Sequence, residues 1–184
     1  MTKKALVILA EGFEEIEAVT PIDLLRRAGI SVTVAGLSSI TVKGARGIPI
    51  CADSILDSCK EDAFDALILP GGQPGTTNLA SSSTVLEMVR KSAHDGRLIA
   101  AICAAPSVLG KAGILQGKKA TCYPGIEDAL IGAELQDSLV VVDGNLITSR
   151  GAGTAIAFSL QIIRYLTDFE HAAKVASGII AEFN

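Results

Sequence analysis

Leu98-Ile99-Ala100-Ala101-Ile102-Cys103-Ala104-Ala105-Pro106 is the stretch on which the fold turns. Leu98 to Ile102 are apolar without polar alternation and follow Asp95-Gly96-Arg97, which suits a short strand covered on both faces. Pro106 then opens a helical segment reaching about Gly113, since proline is tolerated in a first helical turn, where an N–H would have no partner. Cys103 stands in the turn between them. A side chain there is held out at the carboxyl edge of a sheet, and the amides that follow point at whatever approaches it. Two readings of Cys103 stay open: a nucleophile whose thiolate is favoured by the helix N-terminus, or an inert cysteine buried in a tight turn.

The same alternation extends in both directions. Lys4 to Ala10, Ser31 to Gly36, Ile48 to Ala52 and Ala66 to Leu69 read as strands. Ile16 to Ala28, closed by Gly29, Thr76 to Ala80 and Thr84 to Ala93 read as helices, and the segment around Lys43-Gly44 reads as turns. Further strands are expected at Lys119 to Cys122, Leu139 to Asp143 and Leu146 to Thr148, with a short helix after Pro124 and a hairpin turn at Asp143-Gly144-Asn145. Thr154 to Leu166 and Glu170 to about Ile180 close the chain as helices. Strands alternating with helices predict an α/β fold: a mostly parallel sheet with helices on both faces. The 184 residues fit one domain spanning 1–184 with a sizeable core.

Composition narrows the function. Sixteen basic against twenty acidic residues give a net charge of -4, which offers no electrostatic footprint for nucleic acid or an anionic membrane. The apolar run after Lys3-Lys4 is cut by Glu11, Glu14 and Glu15, too early for a signal peptide, and no stretch approaches the roughly 18 apolar residues of a membrane span. A cytoplasmic protein acting on small molecules or proteins is expected. Cys51, Cys59, Cys103 and Cys122 lack CxxC spacing and are read as reduced thiols. His94 and His171 lie in polar helical stretches and read as surface residues, so no metal site is expected.

Ligands of such sheets bind outside the carboxyl ends of strands, where the winding reverses. Three loops leave those ends: Glu11 to Glu17, Pro70-Gly71-Gly72-Gln73-Pro74-Gly75, and the Cys103 turn. Glycine at 71 and 72 admits backbone geometry that a side chain would block, so an amide there can face the Cys103 sulfur and, with the Ala104 amide, bind an oxyanion. The alternative is an ordinary glycine turn. Glu14-Glu15-Ile16-Glu17 is too acidic to be wholly buried and by itself reads as a helix first turn satisfying the dipole. Gly151-Ala152-Gly153-Thr154 lacks the full GxGxxG pattern and is read as a tight turn and cap.

Ala5-Leu6-Val7-Ile8-Leu9-Ala10, Glu14-Glu15-Ile16-Glu17, Arg26-Arg27-Ala28-Gly29-Ile30, Val32 to Leu37, Leu69-Pro70-Gly71-Gly72, Ala100 to Ala104 and Thr148-Ser149-Arg150-Gly151, in this order and spacing, resemble the DJ-1/ThiJ/PfpI superfamily over nearly the whole chain. The resemblance implies a flavodoxin-like three-layer sandwich and a homodimer. It makes Cys103 the reactive, oxidisable cysteine and Glu17 the carboxyl that contacts it. It places Arg27, Arg46 and Arg150 around the site or the dimer contact, and Cys51 near the dimer interface. The family commonly has a histidine where Tyr123 stands, which argues against a Cys-His-Glu triad. Tyrosine can hydrogen-bond a substrate oxygen but is a poor base at neutral pH, and packing is its other reading.

The chemistry of the pair can be argued from charge. A carboxylate beside a thiolate is repelled, so Glu17 is expected to be neutral and to donate to sulfur, leaving Cys103 as thiolate at neutral pH. The function expected from the resemblance is a cysteine-dependent glyoxalase or deglycase of small reactive carbonyls, protecting against carbonyl and oxidative stress, with glycated proteins or nucleotides as further substrates and no cofactor. The alternative is a redox-sensing protein or chaperone, acting on unfolded proteins, in which Cys103 oxidation is the switch.

Overall fold

A computed structural model of the chain describes residues 2–60 and 62–183. In chain order the elements are β1 (Lys4–Leu9), α1 (Glu15–Arg27), β2 (Ser31–Gly36), β3 (Thr41–Lys43), β4 (Pro49–Cys51), β5 (Ser54–Ile55), α2 (Leu56–Cys59), β6 (Ala66–Leu69), α3 (Gly75–Ser81) and α4 (Ser83–His94). There follow β7 (Leu98–Ile102), α5 (Pro106–Ala112), β8 (Lys119–Ala120), β9 (Glu134–Leu135), β10 (Val140–Asp143), β11 (Leu146–Ser149), α6 (Ala155–Leu166) and α7 (Phe169–Gly178).

Seven strands form the central sheet in the order β10-β11-β7-β6-β1-β2-β5, all parallel except β10, which pairs antiparallel with β11. Its strands read as unbroken apolar runs because both faces are covered. Ala5, Val7 and Leu9 of β1 pack toward α1, α6 and α7, while Leu6 and Ile8 pack toward α2, α3, α4 and α5. The result is a three-layer α/β sandwich. From β1 the chain winds outward to β2 and β5, then returns to β6 on β1's other side, so the winding reverses between β1 and β6. That is where such sheets open a crevice.

Several expected elements change. The strand read at Ile48 to Ala52 shortens to β4 and leaves the main sheet, because β3, a strand read as turns, pairs with it as an antiparallel hairpin. Lys119 to Cys122 yields only the two residues of β8, bridged to β9 apart from the main sheet. Thr121 instead gives its N–H to the Thr148 hydroxyl at 2.9 Å, ending the ladder. The helix after Pro124 is a single 3-10 turn at Glu127–Ala129. The hairpin turn at Asp143-Gly144-Asn145 is present, joining β10 to β11 with Gly144 at φ 61°. Gly151 to Thr154 forms a 3-10 turn closed by the Thr154 hydroxyl, which accepts the Gly151 N–H at 3.2 Å. Among the described residues no helix is long and apolar enough to cross a membrane.

Candidate active site

Cys103 follows β7 directly and adopts φ 64°, a left-handed conformation rare for a residue with a side chain. Two backbone bonds hold it there: its N–H donates to Ser149 O of β11 at 2.9 Å, and its carbonyl accepts from the Tyr123 N–H at 2.9 Å. The turn lifts the sulfur off the sheet edge, leaving Cys103 half-buried between the fully buried Ile102 and the buried Ala104. The Gly72 and Ala104 amides lie near the sulfur and act to hold its thiol down.

Glu17 comes from the first turn of α1. Glu14 caps that helix, its Oε2 accepting the Glu17 N–H at 2.9 Å, while the Glu14 N–H donates to Gly71 O at 2.9 Å. The Gly71 N–H returns to Glu17 Oε2 at 2.9 Å. Gly71 is thus the wedge between the pair: a Cβ there would stand 2.7 Å from Glu17 Oε2 and 2.8 Å from Cys103 Cβ. Gly72, at φ 89°, lies so close under the β1 to α1 loop that a Cβ would meet Gly12 O at 2.7 Å. Pro21, inside α1, has no N–H to give the carbonyl four residues back, which is that of Glu17.

Glu17 is 1% exposed, and its Oε1 has no fully formed hydrogen bond; its side-chain neighbour is the Cys103 thiol. Burial pushes the Glu17 carboxyl up to about 7, against the opposing bonds from Cys103 and Gly71. Burial, reinforced by the Glu17 charge and hydrogen bond, pushes the Cys103 thiol up to about 12, which the Ala104 and Gly72 amides oppose without reversing. This corrects the expectation of a free thiolate at neutral pH. Two acids in one desolvated place oppose each other's ionisation, so above about 7 the pair carries one negative charge and one proton.

The acidic cluster is also more buried than expected. Glu15 is 6% exposed: its Oε1 accepts the Arg46 N–H at 2.7 Å and the Ile48 N–H at 3.3 Å, tying the β3–β4 turn to α1, while its Oε2 is unpartnered. Nothing in the sequence separates Glu15 from Glu14 and Glu17, since glutamates clustered on a first turn look alike until the hairpin folds over one of them.

The other expected residues are placed unevenly. Tyr123 is 53% exposed, so it is not a core aromatic; its ring lies beside Gly151 and its N–H holds the Cys103 carbonyl. Within one copy of the chain, none of the three guanidiniums bonds Cys103 or Glu17. Arg27 pairs with Asp23 at 2.8 Å on the outer face of α1, the Arg46 side chain is exposed, and Arg150 binds Asp137 O at 3.2 Å. His171 is half-buried, its Nε2 3.0 Å from Ala28 O, and His94 is exposed beside Asp95. Among the described residues no group of three or more His, Cys, Asp or Glu could hold a metal ion.

A cysteine and a carboxyl facing each other across a glycine wedge, at the switch point of a doubly wound sheet, define a cysteine-centred α/β protein. The family model for the DJ-1/PfpI family matches residues 3–165. Protein dj-1beta of Drosophila melanogaster is 46% identical over the full length of both chains, and its crystal structure superposes with a TM-score of 0.96. An oxidized Toxoplasma gondii DJ-1 superposes with a TM-score of 0.96 at 37% identity, covering 99% of this chain and 100% of that one. A Pyrococcus abyssi deglycase is 33% identical, covering 89% of this chain and 99% of its own. The chain belongs to the DJ-1/PfpI family.

Proposed function

We propose that the chain is a cofactor-independent enzyme of small reactive carbonyls, converting methylglyoxal to lactate and releasing early carbonyl adducts from protein or nucleotide groups. The observation that carries this reading is one sulfur held in a left-handed turn beside a buried carboxyl, across a glycine that admits no side chain. The name of the Pyrococcus abyssi relative supports it.

The sulfur of the monoanionic pair adds to the aldehyde carbon with the pair's one proton on Glu17, and the new oxyanion, lying against the Gly72 and Ala104 amides, takes that proton to give the neutral hemithioacetal and a Glu17 carboxylate. The Glu17 carboxylate then removes the proton from the former aldehyde carbon to give an enediolate, the hydroxyl proton on that carbon's oxygen passes to the neighbouring oxygen, and Glu17 returns its proton to the neighbouring carbon, leaving the thioester of lactate. Water hydrolyses the thioester to lactate and regenerates Cys103. Metal-free protein incubated with methylglyoxal and assayed for lactate tests the reading. Cys103→Ser should abolish turnover, and Glu17→Gln should lower it by about two to four orders of magnitude; near-normal activity in either variant would overturn it.

A second reading, a redox-sensing protein, is favoured by the proton that Glu17 retains near pH 7, which would be donated to a sulfinate oxygen on Cys103. Cys59 and Cys122 are buried, whereas Cys51 is exposed and Cys103 is half-buried at the sheet's edge. Graded peroxide should therefore modify Cys103 and Cys51 and spare the other two. Peptide mass spectrometry should find Cys103 arrested as sulfinate, with carbonyl turnover lost in step and retained in Cys51→Ser. Equal oxidation of all four thiols would refute the sensor.

A further inference from the structure

The carboxyl edge of the sheet carries a second concavity, on the far side of β1 from Cys103. It is a cleft of about 490 Å³ bounded by the end of β1, the loop after β2, the start of α2 and the α3–α4 junction. That volume lies within the usual span of small-molecule sites, and the carboxyl edge of a parallel sheet is where ligands bind.

Its apolar surface is offered by the partly exposed Leu37, with Leu9, Val42 and Leu56 buried beneath it. Its walls are hydroxylic. Ser38 and Thr84 have side-chain hydroxyls with no protein partner among the described residues. The Ser82 hydroxyl accepts the Val85 N–H at 3.3 Å and keeps its own proton to donate. Asn78 uses one N–H on Glu11 O at 2.9 Å, which leaves its second N–H and its carbonyl oxygen. Two carboxylates complete the wall, each with one oxygen engaged: Glu11 Oε2 accepts the Lys43 N–H at 3.0 Å, and Asp57 Oδ1 takes Lys60 Nζ at 3.1 Å. No lysine or arginine is among the lining residues.

This composition selects by chemistry. An anion would face two carboxylates, only one of them paired with a lysine, and a purely apolar ligand would leave several hydroxyls and two carboxylate oxygens desolvated without partners. A lone cation would satisfy the carboxylates but none of the hydroxyl donors. A molecule whose C–H face lies over Leu37 and whose hydroxyls exchange donors and acceptors with the wall matches both kinds of surface. We propose that this cleft is a binding site, separate from Cys103, for an uncharged polyhydroxylated ligand of mono- or disaccharide size.

Titration with glucose, ribose and maltose, and with inorganic phosphate and citrate as anionic controls, followed by amide NMR shifts, tests it. At least one sugar should bind saturably, with shifts gathered at residues 37–39, 56–57 and 78–84, and Cys103→Ser should bind equally well. Ser38→Ala and Thr84→Val each remove one partly or fully exposed hydroxyl, so circular dichroism should stay unchanged while affinity falls about 3- to 10-fold. The site is refuted if no sugar saturates below about 100 mM, if phosphate or citrate binds better than every sugar, or if the sugar shifts gather around Cys103 instead.

Discussion

Glu17 and Cys103 titrate as one unit, because neither can ionise without the other feeling the charge in a desolvated place. The nucleophilic form is the monoanion, so kcat/KM for methylglyoxal should rise as pH passes through about 7 and stay level until the second ionisation near 12. Glu17→Gln should abolish that step. The same shift has a cost in stability. The unfolded carboxyl ionises near 4.5 and the folded one near 7, so between those values the folded chain binds more protons and is destabilised as pH rises. Stability associated with Glu17 is full below pH 4.5 and lost through about 7, amounting to roughly 3 kcal/mol. Urea midpoints at pH 4.5 and 8 should show that decline in the native chain and its absence in Glu17→Gln; an equal decline in both would place the proton elsewhere.

Between elements, α1 is the part that organises the site. Its first turn caps itself through Glu14, offers Glu17 to Cys103 and grips the β3–β4 hairpin through Glu15. The Ala45 N–H to Phe13 O bond at 2.7 Å and the Gly12 N–H to Lys43 O bond at 2.8 Å add to that grip. Glu15→Ala would strand the Arg46 and Ile48 amides and open a void beside Gly44, costing about 1–3 kcal/mol. Amide exchange should speed up across 44–48 while the protection of β6 and β7 is kept. If the hairpin exchanged as slowly as before, those two amides would have found other partners, and Glu15 would not be the clamp.

For the molecule as a whole, the apolar surface is unevenly distributed. Ile16 and Val19 of α1 are 53% and 48% exposed, and Ile48, hung on Glu15 next to Ile16, is 57% exposed. Large apolar side chains exposed along one helix commonly meet a partner. Homodimerisation through it is our expectation for the chain: light scattering at micromolar concentration should give twice the 19.0 kDa chain mass, and Ile16→Glu should give the monomer. A native chain that scatters as a monomer would overturn it. The dimer would also bring new neighbours to Arg27 and Arg46, whose guanidiniums find no place at Cys103 within one copy.

What the sequence determined alone was the layered architecture, because a parallel sheet covered on both faces must be written as unbroken apolar runs, and proline and glycine mark where those runs become helices. Cys103 was legible for the same reason: Ile102 ends a strand and Pro106 begins a helix, so whatever lies between stands at the sheet's edge. The short strands β3 and β8 were not legible, since two or three residues carry no period and pair only when the rest of the chain delivers a partner. Only the tertiary structure decided which glutamates are buried, and with them the protonation of the site. Local charge favoured a thiolate, but burial of both acids against Gly71 costs more than two amides return, and burial is set by residues distant in the chain.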